Sequence, residues 1–235
     1  GALHYLLTGD ESVGETIKTT GLRLTRNLKT YDFMNMREPG WLIIHLCGLA
    51  RMMESMRFEN AATVVVNRVL AKQEPGGGWE HPLSEAHCPC EPVRCHGEAG
   101  FMVGVVLSAL RRYHHLTGDD RAEAAIVGGT KWLIDKTYVP EAGHFRYTSC
   151  PNRGGPGPGY TLQIIEGLTD ALSYSQDSVV ADVVRRVLPD VGQSAESAGA
   201  RRYGRLLSME SRYIPFMLPV LDELGIRAEP AASSY

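Results

Sequence analysis

The densest chemistry in this 235-residue sequence lies in one stretch, His81-Pro82-Leu83-Ser84-Glu85-Ala86-His87-Cys88-Pro89-Cys90-Glu91-Pro92-Val93-Arg94-Cys95-His96-Gly97-Glu98, which holds three of the five cysteines and three of the eight histidines. Thiolate and imidazole at this density suit a tetrahedral Zn²⁺, with ligands from Cys88, Cys90, Cys95 and either His87 or His96, or Cys150 further on. Cys-Pro-Cys is tighter than the usual Cys-x-x-Cys knuckle. Three readings therefore stay open: a metal site, a disulfide from Cys88 or Cys95 to Cys150 in an oxidising compartment, or free buried thiols. Cys47, inside the apolar run Leu42–Leu49, reads as a small core residue. A second polar segment, His144 to Arg153, alternates so that a short hairpin would carry His144, Arg146 and Thr148 on one side and Phe145 and Tyr147 on the other.

These residues need a scaffold, and the sequence repeats itself in a way that predicts one. Leu7-Thr8-Gly9-Asp10 recurs as Leu116-Thr117-Gly118-Asp119, with degenerate copies at Met53–Asn60 and Leu172–Ser178, a period of about 50 to 60 residues. Apolar spacing predicts helices near Ala2–Leu7, Ser12–Leu28, Trp41–Ser55, Glu59–Gln73, Glu98–Leu116, Asp120–Thr137, Thr161–Ser175, Ser178–Leu188 and Leu206–Leu224, with strand signals nearly absent. One repeat is a helical hairpin. Gly9 and Gly118 suit the left-handed residue that ends a helix, and the aspartate after each can cap the next. The remaining connections, 29–40, 74–97, 138–160 and 189–205, are long. Long and short connections alternate, which places every short turn at one end of an antiparallel array and every long loop at the other. Function belongs at the long-loop end. The helices leaving those loops are the more apolar, so they form an inner ring with their N-termini converging on that end, where they favour an anion.

Composition narrows the partners. With 24 Lys+Arg against 27 Asp+Glu and a net charge of −3, there is no basic stripe for a phosphate backbone, so no nucleic acid is expected. The longest uncharged runs, Trp41–Ala50 and Ala99–Leu110, fall short of the roughly 20 residues that span a bilayer, so no membrane is expected either. No phosphate loop, dinucleotide fingerprint or Gly-x-Ser-x-Gly elbow occurs, and no nucleotide cofactor is expected. The sequence starts at Gly1, inside a helix, and is read as one helical domain over 1–235 that forms the C-terminal part of a longer chain. No signal peptide is visible, which fixes no compartment; a secreted or periplasmic setting is preferred.

The repeated Leu-Thr-Gly-Asp hairpins, the Arg37-Glu38-Pro39-Gly40-Trp41 approach to an inner helix and the Gln73-Glu74-Pro75-Gly76-Gly77-Gly78-Trp79 exit from an outer one resemble the (α/α) toroids of the six-hairpin glycosidase superfamily, which includes glycoside hydrolases and heparinase-like and rhamnogalacturonan lyase-like polysaccharide lyases. The resemblance covers most of the chain and is architectural more than catalytic. A full ring has about twelve helices against about nine here, so an incomplete all-α toroid is implied. The Gln-x-x-x-Gly-Gly-Trp element is also similar, more weakly, to a turn of terpene cyclase and prenyltransferase toroids, whose aspartate-rich motifs this sequence lacks.

The resemblance implies a carbohydrate-active enzyme on an acidic polysaccharide or oligosaccharide. A lyase needs a base for the proton α to a uronate carboxyl, an acid for the leaving oxygen and a neutraliser for the developing charge. The loops supply His81, His87, His96, Glu98, His144, Arg146 and Tyr147 as candidate catalytic groups. Trp41, Trp79, Arg94, Asn152, Arg153 and Tyr160 are candidates for binding the sugar. β-Elimination is preferred narrowly; a hydrolase would instead need two carboxylates about 5–10 Å apart, for which Glu80, Glu85, Glu91, Glu98 and Glu141 are available. A noncatalytic helical-repeat domain that binds glycan or protein is the third reading. Gly154–Gly159 reads as a lid or linker, and Arg201-Arg202 with Arg205 as a basic cluster near a loop end.

Overall fold

Four tight turns set the architecture. At Gly9, Glu54, Gly118 and Gln176 the backbone enters the left-handed region, with φ of 67°, 47°, 71° and 46°. These positions are the two Leu-Thr-Gly-Asp copies and the two degenerate ones. After the two glycine turns the next helix is capped as the sequence predicts, Asp10 Oδ1 accepting from the Ser12 N–H at 3.0 Å and Asp119 Oδ1 from the Arg121 N–H at 3.1 Å; Asp177 Oδ1 does the same for the Val179 N–H at 2.9 Å, whereas Ser55 makes no side-chain cap.

The structure, a computed structural model, describes residues 5, 7–26, 28, 30–153, 161–196 and 214–226. Among them are eight helices: α1 (Glu11–Leu24), α2 (Arg37–Met52), α3 (Met56–Ala71), α4 (Gly100–Thr117), α5 (Asp120–Thr137), α6 (Thr161–Ser175), α7 (Ser178–Glu196) and α8 (Ile214–Glu223). Helix α2 packs on α4, α4 on α6 and α6 on α8, while α3, α5 and α7 pack behind their hairpin partners α2, α4 and α6. This is an all-α, toroid-like arrangement with an inner and an outer row. The inner row is the apolar one, as expected: every residue of α4 from Gly100 to Leu110 is buried. Its helices approach closely because glycine lines the crossings. A Cβ on Gly40 would meet Val105, and one on Gly104 would meet the Gln163 carbonyl.

Several boundaries differ from expectation for local reasons. Helix α2 starts at Arg37 rather than Trp41, because Pro39 falls in the first turn, where its missing N–H has no intrahelical partner to lose. Helix α7 continues to Glu196, so the first part of the connection expected at 189–205 is helical: Pro189 removes one hydrogen bond without obliging the helix to stop. Strands are limited to β1 (His81–Pro82) paired with β2 (His96–Gly97), and β3 (Tyr138–Val139) paired with β4 (His144–Phe145), both antiparallel. The alternation expected along His144–Thr148 ends at Phe145. Beyond it the chain turns inward to bridge Ala99 through Thr148, which is buried while His144 and Arg146 are only half-buried. Most of the helix expected at Ala2–Leu7, the Gly154–Gly159 stretch, Tyr160, Arg201-Arg202 and Arg205, and the first part of the helix expected at Leu206–Leu224 lie outside the described residues.

Among the described residues, three of the long connections meet at one rim. The bridge from Ala99 to Thr148, the hydrogen bond from the Met36 N–H to Glu98 and the gathering of Cys88, Cys90, Cys95 and Cys150 join them. The Gln73-to-Trp79 element is part of this joinery. Gln73 Nε2 donates to the carbonyls of Gly77 and Ala125, both at 2.9 Å, and Trp79 is buried with its Nε1 donating to the Val69 carbonyl at 2.8 Å.

Candidate active site and metal centre

Glu98 is the centre of the rim. Its side chain is 0% exposed. One carboxylate oxygen accepts from the N–H of Ala99, the N-cap of α4, at 2.8 Å, and the other from the N–H of Met36, the N-cap of α2, at 2.9 Å. A single carboxylate thus closes the starts of two neighbouring inner helices, where helix dipoles favour its charge. Burial opposes that charge more strongly and pushes the Glu98 carboxyl up to about 7, against the pull of the two N–H groups and of Arg37.

His81, on β1, stands in front of it, with Nδ1 3.6 Å from Glu98 Oε2. Burial lowers the proton affinity of this imidazole, and His87, His96 and Lys72 lower it further. Burial thus disfavours the charged form of both groups, raising the carboxyl and lowering the imidazole, as is common at acid–base sites. His81 also lines a cavity of about 360 Å³ together with Asp32, Phe33, Lys72, Trp79 and Glu80. Lys72 Nζ donates to Asp32 Oδ1 and to the Phe33 carbonyl, both at 2.8 Å, and sits 4.5 Å from the Phe33 ring centroid. Its hydrogen bond is the main reason the Asp32 carboxyl lies below the usual range.

Beside the dyad lies an aromatic group. The rings of His87 and Phe101 are each 5.7 Å from that of Tyr147, and the Arg153 guanidinium lies 5.7 Å from the same ring. Burial, then Arg153 and Arg37, lower the proton affinity of His87. Of the residues singled out in the sequence, the rim brings together His81, His87, His96, Glu98, Tyr147 and Arg153. Trp79 lines the same cavity as His81, and the others have settings of their own. His144 Nδ1 lies 3.0 Å from the Ala142 carbonyl in its own hairpin, and Arg146 holds the Thr137 carbonyl through its backbone N–H. Asn152 donates to the Cys90 sulfur at 3.3 Å, Arg94 is exposed, and Trp41 is half-buried in the first turns of α2. Trp79 is 2% exposed, so little of its ring is open to stack on a sugar. Asp32, Phe33 and Lys72 were not expected. Their only sequence signal is position, in the loop before one inner helix and just after an outer one.

The four rim cysteines converge. Sγ separations are 3.7 Å for Cys90–Cys95, 3.9 Å for Cys90–Cys150, 3.5 Å for Cys95–Cys150 and 3.7 Å for Cys88–Cys150. A disulfide needs about 2.05 Å, so these are thiols. Four sulfurs about 2.3 Å from a shared centre would be about 3.8 Å apart, so the set can hold a tetrahedral metal ion. Although burial raises the Cys88 thiol, donors from the backbone of Cys90 and Cys95 and from their thiols outweigh it and bring it down to about 6. The thiols of Cys88 and Cys150 push Cys95 up to about 12. His87 and His96, the alternative ligands, are not in the cluster. Cys47 is buried in α2, as expected of a core residue.

No protein-family description and no curated protein matches this chain. Its structure is similar to a solved one described as the crystal structure of D-mannose isomerase, with a TM-score of 0.50 and 12% identity over 72% of this chain. The match covers 43% of that neighbour, so this chain spans less than half its length. Likeness at this identity is one of fold, and it links the helical array described above to that of a sugar-processing enzyme.

Proposed function

We propose that this protein is a carbohydrate-active enzyme of the six-hairpin toroid type that works by proton transfer on an acidic sugar, with β-elimination as the reaction. The observation that carries the reading is His81: it borders a cavity sized for a sugar ring while a solventless carboxylate stands 3.6 Å behind its Nδ1. A base oriented by a buried acid is a recurring catalytic arrangement. His81, kept neutral by burial, would take the proton α to a uronate carboxyl. The electron pair forms the carbon–carbon double bond as the glycosidic C–O bond breaks, and His81 returns the proton to the leaving oxygen. Lys72 would neutralise the charge that builds on the uronate carboxyl. Glu98 acts through His81 as a positioning residue. The rim thiols, in this reading, hold a zinc ion.

Hydrolysis is the second reading, because Asp32 and Glu80 line the same cavity. Incubation with a panel of uronate-containing oligosaccharides separates the two. Ultraviolet absorbance from an unsaturated uronate product is expected. New reducing ends without that absorbance would replace elimination by hydrolysis, interconversion of aldose and ketose would favour the neighbour's chemistry, and binding without turnover would leave a glycan-binding module.

A further inference from the structure

We infer that the ion held by Cys88, Cys90, Cys95 and Cys150 is a staple that fixes Glu98 between α2, α4 and His81, and takes no part in the chemistry. This rests on the zinc reading above and extends it to what the ion does.

Coordination is the first argument. Four protein sulfurs fill a tetrahedral shell and leave no position open for substrate or water, which is the signature of structural rather than catalytic zinc.

Packing is the second. The rim segments share a small core separate from the main one, made of Leu83, Cys88, Cys90 and Cys150 with Val93 and Cys95 against it. Remove the sulfurs and two aliphatic side chains remain, too few to order the whole of 83–97. Cohesion must come from what the sulfurs bind.

Connectivity is the third. Glu98 is three residues from Cys95, and its backbone is clamped to the segment that ends in Cys150: the Glu98 N–H donates to Ser149 Oγ at 3.1 Å and the Ser149 N–H donates to the Glu98 carbonyl at 3.0 Å. Thr148 Oγ1 donates to the His87 carbonyl at 2.9 Å, and the Leu83 N–H to the Cys95 carbonyl at 2.9 Å. Gly97 has no room for a Cβ because the Ser149 hydroxyl fills that space. An ion joining Cys95 to Cys150 therefore locks the two strands of chain on either side of Glu98, and with them the carboxylate that reaches Met36.

The test begins with zinc content and visible spectra after Co²⁺ substitution of the whole protein. One equivalent of zinc and the absorption of a tetrahedral cobalt–thiolate centre are expected. A protein that binds neither ion overturns the zinc reading itself. Given a bound ion, zinc is then displaced with a mercurial and chelator, and amide exchange is followed at Met36, Ala99 and Ser149 alongside far-ultraviolet circular dichroism. Exchange at these three amides should rise at least tenfold with helical content retained, and zinc should restore protection. Unchanged exchange after metal loss would leave the zinc site standing and overturn the staple; so would a general loss of helix, which would make the ion a determinant of the whole fold. Cys90→His, which preserves four ligands, should keep both zinc and protection, whereas Cys90→Ser should lose both.

Discussion

The imidazole of His81 faces the carboxylate of Glu98 at 3.6 Å, the first half-buried at a cavity wall and the second without contact with solvent. Their opposite shifts from ordinary values have a measurable consequence for folding. Burial raises the Glu98 carboxyl from 4.5 to about 7, so between those values the folded chain holds a proton that the unfolded chain releases. The contribution of that proton to stability is complete below the unfolded value and is lost as pH rises through about 7, by on the order of 3 kcal/mol. Glu98→Gln cannot titrate. Urea unfolding of both proteins at about pH 4.5 and about pH 8 should show the wild type losing roughly that amount relative to the variant across the interval. A gap that does not change with pH would mean that the carboxyl is ionised throughout.

Activity should depend on His81 in a way that stability does not. His81→Gln is expected to lower kcat by about 10²–10⁴ on the sugar that the wild type processes, with an unaltered melting temperature. Because burial lowers the proton affinity of His81, the acidic limb of kcat/KM should fall below pH 6.5, the ordinary imidazole value. Lys72→Met should weaken turnover of uronate substrates while leaving neutral sugars, if any are bound, unaffected. An equal loss on both would remove Lys72 from substrate recognition.

The repeat itself offers a test. Two of the four left-handed turn positions are glycine and two, Glu54 and Gln176, are not. A side chain in that region costs about 1 kcal/mol, so Glu54→Gly and Gln176→Gly should each stabilise the protein by about that amount, and the two should add. Gly118→Ala should do the reverse. Urea midpoints decide it: a loss of stability in Glu54→Gly would show that its side chain makes a contact worth more than the strain.

The hairpins, the inner and outer rows and the common rim were legible in the sequence because each follows from local chemistry: a left-handed turn, an aspartate cap, an all-round apolar helix. So was a cysteine cluster at the rim, although the sequence left metal, disulfide and free thiols open and offered His87 and His96 as rivals to Cys150. Distance decided among them, and distance is set by the Ala99–Thr148 bridge, which pairs residues far apart in the chain. The cavity beside His81 was not legible. Asp32, Phe33 and Lys72 come from two segments with no unusual composition, and only the packing of the end of α3 against the loop before α2 brings them to the imidazole. Trp79, expected at a sugar face, packs mostly into the core, with its N–H given to the Val69 carbonyl and only an edge at the cavity.

Inside the scaffold, α4 and α6 share a buried charged network that the sequence did not signal. Arg112 Nη2 donates to Glu166 Oε1 at 2.9 Å and Ser108 Oγ to Glu166 Oε2 at 2.7 Å, with Arg111 Nε 3.5 Å from Asp170 Oδ1. Burial, then the Glu166 charge, raise the Asp170 carboxyl well above its ordinary range despite both arginines. Apart from Asp170 Oδ2, which is buried without a hydrogen-bond partner, the set is engaged with itself along the two helices, so its role is to fix the register of two inner helices. Arg112→Met should strand the Glu166 charge and cost about 3–5 kcal/mol, while Arg112→Met combined with Glu166→Met should recover most of it, because removing a buried pair costs far less than breaking one. Specific activity of the folded fraction should hold in both variants. A double variant as unstable as the single one would mean that the network is worth more than the apolar packing that replaces it.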